Sequence, residues 1–132
     1  MYEEVLNLTT NFIVLFRRII KKHNITLPQG LILLSIGYNR QSMSSLVQRL
    51  ALDPSTMTRN IEKLEKRQLV YRQKSEKDSR VIFVYKTEKA TVLINEIESE
   101  IKKKINFSFS DKVKVKDNIN KVVWLLEKIN NQ

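Results

Sequence analysis

Between Asp53 and Arg80 the chain carries side chains suited to reading a polyanion rather than to making or breaking bonds. Ser55, Thr56, Thr58 and Arg59 stand within one short run, and Lys63 follows about a turn later. Hydroxyls at that density can give and take hydrogen bonds at base edges, and a guanidinium can pair with the two acceptors of guanine. Further on, Lys77, Ser79 and Arg80 add two cations and a hydroxyl, with Asp78 placed to accept the hydrogen bonds that would hold Arg80. Ser44 and Ser45, upstream, are candidates for the same kind of contact. The chemistry implied is recognition of double-stranded DNA, with no covalent step.

Catalysis finds little material. There are no cysteines, which excludes disulfides, thiolate chemistry and Cys-based zinc sites, and so thiol sensing of oxidants. The single histidine, His23, falls near the expected end of the first helix, where a C-terminal cap or surface position explains it. Two glycines, Gly30 and Gly37, cannot build a phosphate loop. Glu96 and Glu100 lie at helical spacing beside lysines and read as solvated, and the Glu76–Asp78 pair sits where a hairpin tip is expected. Neither a catalytic residue, a metal site nor a cofactor is expected.

The elements that would position the polar run can be read from its flanks. Asp53 can cap a helix through its carboxylate, and Pro54 suits the first helical position. At about 100° per residue, Met57, Ile61 and Leu64 form one apolar stripe, with Ser55, Arg59, Glu62, Lys63 and Lys66 opposite. The stripe must face a core, so the basic side faces out. A preceding helix capped by Ser42 carries Leu46 and Leu50, and the stretch to Tyr85 reads as two strands joined by a charged loop, Lys74 to Arg80. This order is a helix-turn-helix followed by a β-hairpin wing, a pair of devices that reach neighbouring DNA grooves.

Charge supports that assignment over an ordinary solvated helix face. The net charge is +10 and the pI about 9.9. Residues 39–90 hold twelve Lys/Arg against six Asp/Glu, a net of +6, while each flank carries +2. Positive charge gathers where phosphates would be met. An anionic membrane surface would favour the same sign, but no basic helix has a wide apolar face turned away from a core. A different use, contact with another regulator as an antagonist without specific DNA binding, would not require that gathering.

The ordered set of motifs from about Thr26 to Ala90 resembles the MarR family of bacterial transcriptional regulators. Asp78-Ser79-Arg80 matches the family's Asp-x-Arg wing signature and is followed by the strand and helix start Val81 to Thr87. Ser55 to Arg59 and Leu64 to Val70 follow its recognition-helix pattern. Gln68 and Ala90 stand where the family commonly has Gly, and Lys86 where it tends to have Leu. The resemblance implies a ligand-responsive repressor, acting as a homodimer on a pseudo-palindromic operator. Ser55 to Lys66 would enter a major groove while Arg80, positioned by Asp78, reaches a minor groove. The effector, if the chain has one, would be small, partly apolar and anionic, held between helices.

The flanks read as helices. Residues 3–22 place Val5, Leu8, Phe12, Leu15, Phe16 and Ile19 on one stripe, with Ile13, Val14 and Ile20 off it. Thr26 and Gln29 have capping-box spacing for a helix through Leu31, Leu33, Leu34 and Ile36. Thr87 can cap a helix to about Lys104 carrying Leu93, Ile94, Ile97, Ile101 and Ile105. After a polar break at Ser108–Asp111, a last helix carries Val115, Ile119, Val122, Val123, Leu126 and Ile129. The fold expected is mainly α with a small β-hairpin wing, a single domain over 1–132. It comprises a winged helix-turn-helix lobe at 27–90 and a helical dimerisation region at 1–24 and 91–132. The longest early apolar run, Phe12 to Phe16, ends at Arg17 and Arg18, far short of the roughly 20 residues that span a bilayer. A cytoplasmic protein with no membrane partner is the expectation.

Overall fold

The computed structural model describes residues 1–105 and 110–132. The elements run α1 (Tyr2–Lys21), α2 (Leu27–Ile36), β1 (Arg40–Ser42), α3 (Met43–Leu50), α4 (Pro54–Lys66), β2 (Val70–Lys74), β3 (Ile82–Lys86), α5 (Glu88–Ile105) and α6 (Lys112–Asn130). They fall into two units, Met1–Ile101 and Lys102–Gln132.

In the first unit each short helix starts where its capping chemistry dictates. Thr26 and Gln29 exchange the reciprocal bonds of a capping box at α2. The Ser42 hydroxyl accepts the Ser45 N–H at α3, and the Asp53 carboxylate accepts the Thr56 N–H at α4. Met57, Ile61 and Leu64 are fully buried with Leu46, Ile32, Leu33 and Ile36. Each such side chain contributes about 2 kcal/mol of hydrophobic stabilisation, which fixes which side of α4 faces water. Ile19 and Ile20 of α1 and Ile94 and Ile97 of α5 complete the same core. α1 approaches α2 closely at Gly30, where a Cβ would come within 3.1 Å of the Phe16 ring.

Three expectations need correction. The apolar stripe of α1 is buried only in its second half, and Ile20, placed off the stripe, is in the core, while Leu8 and Phe12 remain exposed. The sheet has three antiparallel strands in the order β1-β3-β2. The unforeseen β1 is three polar residues long, too short for alternation to reveal. His23 neither caps α1 nor lies on the surface. Its side chain is 20% exposed and faces α5, with Nε2 3.6 Å from Glu100 and Nδ1 3.9 Å from Glu96. Glu100 is accordingly not a free solvated acid, since Lys22 Nζ lies 3.1 Å from it.

The exit from α4 is tightly tied. Gln68 takes a left-handed backbone with φ 59°, at the position where a glycine is more usual. Its carbonyl accepts the Thr87 hydroxyl at 2.7 Å, and the same hydroxyl lies 3.2 Å from the Leu69 carbonyl. The Arg67 guanidinium donates to the carbonyls of Asn24 and His23 at 2.7 and 2.9 Å, and Lys89 Nζ donates to the Arg67 carbonyl at 2.9 Å.

The second unit is described by itself. Asp111 caps α6 by accepting the Lys114 N–H. No residue of α6 is buried, and its apolar residues include Ile119, Leu126 and Ile129 on the expected stripe. Trp124, 61% exposed, carries Lys128 Nζ 5.2 Å from its ring centre. Of the expected break at Ser108–Asp111, residues 108 and 109 lie outside the described residues.

Gln68 is exposed, so its backbone strain can be removed at little cost in packing. Gln68→Gly is expected to raise stability by about 1 kcal/mol, read as a higher urea midpoint with an unchanged slope.

Candidate nucleic-acid interface

Two adjacent devices present the candidate residues. On α4 the cap is also a hydroxyl clamp. Asp53 Oδ1 accepts both the Ser55 hydroxyl at 2.6 Å and the Thr56 N–H at 2.9 Å, and Oδ2 accepts the Thr56 hydroxyl at 2.7 Å. Both hydroxyl protons are thereby turned inward, which leaves oxygen lone pairs toward solvent. Arg59 is exposed one turn on, and its Nη2 lies 3.4 Å from the Thr56 hydroxyl oxygen, a loose contact that sets its direction without tying it down. Lys63 and Lys66 continue the exposed side, while Thr58 is half-buried beside Met57. Asn60 donates to the Thr56 carbonyl at 3.0 Å and stiffens the same turn.

The wing forms the second device. Ser75 accepts the N–H groups of Lys77 and Asp78, its own N–H donates to the Val81 carbonyl at 2.8 Å, and Val81 N–H returns to Asp78. On this closed loop the Asp78 carboxylate receives the Arg80 N–H at 3.0 Å, Nε at 3.1 Å and Nη2 at 3.2 Å. The Arg80 side chain is nevertheless 88% exposed. Its guanidinium, then its backbone N–H, hold the Asp78 carboxyl below the usual carboxylate range. Lys77 and Ser79 are exposed at the same tip.

The structure therefore brings Ser55, Thr56 and Arg59 together on one turn, and Lys77, Asp78, Ser79 and Arg80 on one loop. Ser44 and Ser45 fall at the start of α3, where Ser45 donates its hydroxyl to Gln41 at 3.1 Å and Ser44 pairs with Ser42 at 3.3 Å. Sequence reasoning missed Ser75 as the organiser of the wing loop, although a serine two or three residues before acceptor-seeking N–H groups is a known turn signal. It also took Asp53 for a cap alone. A separate cavity of about 350 Å³ lies between α2 and α5, where Leu33, Leu34 and Ile94 meet Lys86, Thr91, Asn95 and Glu98. Among the described residues no three metal-binding side chains cluster, and no helix is long and apolar enough to cross a membrane.

Comparison with known proteins is consistent with this geometry. The family described as transcriptional regulator SarA/Rot matches residues 14–97. The HTH-type transcriptional regulator MgrA of Staphylococcus aureus is 29% identical over 101 residues, covering 76% of this chain and 69% of MgrA. Among solved structures, NadR in complex with 4-hydroxyphenylacetate superposes with a TM-score of 0.83 at 22% identity, over 96% of this chain and 89% of NadR. Reduced AbfR bound to DNA gives 0.73 at 21% identity, over 96% of this chain and 89% of its own. Regulators of the MarR family share the fold over nearly the whole chain.

The hydroxyl clamp has a pH signature. The Ser55 hydroxyl, then the Thr56 N–H and hydroxyl, hold the Asp53 carboxyl far below the usual carboxylate range. A pKa depressed by folding contributes stability that is complete above the unfolded value and is lost as pH falls toward the folded one. Asp53→Ala is thus expected to be less stable than the parent at neutral pH, with the gap narrowing as pH drops below about 4. Urea midpoints measured across that range for both chains check it.

Proposed function

From the premise that the chain belongs to the SarA/Rot family of transcriptional regulators, we propose that it is a homodimeric repressor reading a pseudo-palindromic operator in double-stranded DNA. The observation that carries this reading is the shared exposure of Arg59 on the first turns of α4 and of Arg80 on the wing, each aimed by a neighbouring oxygen. In the proposed complex Ser55, Thr56, Thr58, Arg59 and Lys63 meet a major groove. Arg80, steadied by Asp78 and flanked by Lys77 and Ser79, enters the adjacent minor groove, and Ser44 and Ser45 approach the backbone. The protein works in the cytoplasm and takes no enzymatic role. The concentration of net charge in residues 39–90 favours DNA over an antagonist that binds another regulator.

Ligand response fits the cavity between α2 and α5. Its apolar wall suits a small, partly apolar compound, whose anionic group would meet the Lys86 ammonium on the side of the cavity away from the Glu98 carboxylate. The 4-hydroxyphenylacetate bound by NadR has that character.

Dimerisation follows from apolar surface left uncovered. Leu8 and Phe12 of α1 and Ile119, Leu126 and Ile129 of α6 are all exposed in the single chain. A second copy covers such helices by two-fold pairing, which sets recognition helices roughly 34 Å apart. Light scattering at micromolar concentration is expected to give twice 15.6 kDa, and a folded monomer would contradict the reading. Removing residues 119–132 is expected to abolish dimers and operator binding together.

The two arginines separate the modes of readout. Arg59→Ala is expected to cost about 1–3 kcal/mol on the operator and much less on scrambled DNA. Arg80→Ala is expected to weaken binding broadly, to lower the salt slope by about one and to reduce preference for narrow A·T flanks. Fluorescence anisotropy with both duplexes at several salt concentrations distinguishes them. An unchanged salt slope for Arg80→Ala would remove the wing from the interface.

A further inference from the structure

The outer face of the three-stranded sheet carries a pattern that duplex reading leaves unused. Strand alternation turns Val84 into the core, fully buried, so Phe83 and Tyr85 on either side of it point away. Register aligns Arg40, Tyr85 and Tyr71 in one row across β1, β3 and β2, and Ser42, Phe83 and Gln73 in the next. Arg72, in between, turns the other way and pairs with Glu65 of α4 at 2.8 Å. The row is therefore on the side of the sheet opposite α4.

Its side chains are ordered. The Tyr71 and Tyr85 rings stack with centroids 4.9 Å apart and planes within 6°. The Arg40 guanidinium lies 3.8 Å from the Phe83 ring centre and donates to the Tyr85 hydroxyl at 3.2 Å. β2 is an edge strand, so no further strand covers the outer side of Tyr71, which is 47% exposed. Beside this floor opens a cleft of about 400 Å³ lined by Arg40, Phe83, Tyr85 and the wing residues Lys74 and Lys77, with Glu76 the one acid on its rim. Arg40, Lys74 and Lys77 form no ion pair among the described residues.

Cross-strand aromatic pairs stabilise any exposed sheet, and Tyr71 with Tyr85 does so here. That role does not call for Arg40 and Lys74 beside the rings, two cations without an ion pair among the described residues and without a part in the proposed duplex reading. The open outer face of Tyr71, next to positive charge without an ion pair, suits a ligand that is itself planar and repeatedly anionic: a base stacks on that ring or on the guanidinium while phosphates meet the lysines. A paired duplex keeps its base faces covered and cannot use this floor. We propose that the outer face of the wing sheet, centred on Tyr71, Tyr85 and Arg40, binds single-stranded nucleic acid, separately from the duplex-reading face of α4.

RNA and unpaired DNA offer the same stacking and the same phosphates, so both enter the test. Fluorescein-labelled oligo-uridylate and oligo-thymidylate of about twelve nucleotides, long enough to cross one such platform, are titrated with the full chain beside the operator duplex. The tighter of the two identifies the preferred strand. Tyr71→Ala and Arg40→Ala are each expected to weaken single-strand binding by about fivefold or more, with the duplex affinity held within about twofold. Tyr71→Trp, which keeps a stacking face, is expected to retain single-strand binding. Arg59→Ala is expected to show the converse, losing operator affinity and keeping the single strand. Circular dichroism melts show that each variant is folded, and Tyr71→Leu, apolar but without a stacking face, supplies a second variant expected to lose single-strand binding if Tyr71→Ala melts early.

Absence of single-strand binding by the parent at concentrations up to about 100 µM, the weak end of non-specific association, overturns the proposal. So does binding that survives both Tyr71→Ala and Arg40→Ala, or that falls with Arg59→Ala instead. Failure of the duplex arm alone bears on the reading of α4 and leaves this face standing.

Discussion

Everything that α4 presents to DNA depends on how its far end is held. Within three residues, Arg67 bonds two carbonyls of the α1–α2 corner, Gln68 turns left-handed, and the carbonyls of Gln68 and Leu69 converge on the Thr87 hydroxyl at the start of α5. A left-handed non-glycine residue costs about 1–2 kcal/mol. It is outweighed by the bonds it permits, including one charged guanidinium serving two carbonyls, and by three fully buried side chains at about 2 kcal/mol each. These bonds hold α4 in this arrangement relative to the corner, the wing strands and α5, and a helix held in place loses little entropy when it meets a groove.

The two arginines of the proposed interface are prepared differently, and the difference follows from local chemistry. Arg80 closes a ring of three hydrogen bonds onto Asp78, so the wing tip arrives with its cation already directed. Arg59 has only a 3.4 Å contact to Thr56, whose proton is committed to Asp53. A fixed cation suits the minor groove, where width and potential matter more than base identity. A directed but loosely held one suits the major groove, where paired bonds to a base must reach good geometry. On α4 the carboxylate that caps the helix also dictates which hydroxyl atoms face outward, so stability and readout share one residue.

Much of this could be read from the sequence because the signals were local. The caps at Thr26, Ser42 and Asp53, the stripe Met57–Ile61–Leu64 and the Asp78–Arg80 pair each depend on residues within a few positions of one another. What escaped had partners far along the chain. β1 exists because Arg40, Gln41 and Ser42 pair with Tyr85, Val84 and Phe83, more than forty residues away, and nothing in three polar residues announces it. His23 lies against α5 beside Glu96 and Glu100, residues far along the chain that its own neighbourhood gives no hint of. In the first half of α1 periodicity reports only that a face is apolar. Whether that face is covered by its own chain or by a second copy is a property of the assembly.

The same distinction between local and distant partners explains how an effector could act on α4 without touching it. The cavity between α2 and α5 has Lys86 on its wall, one residue before Thr87, whose hydroxyl fastens the exit of α4. A ligand that draws the Lys86 ammonium inward pulls on the segment carrying that hydroxyl, and α5 starts there. The Arg67 bonds to the α1–α2 corner resist the movement from the other side. The competition is between one charge-assisted contact in the cavity and a cluster of bonds to main-chain carbonyls. A ligand shifts the balance only by binding one arrangement more tightly than the other. Coupling of this kind requires two packings of the joint at Arg67, Gln68 and Thr87, and through that joint a ligand would modulate the affinity that the groove-facing residues supply.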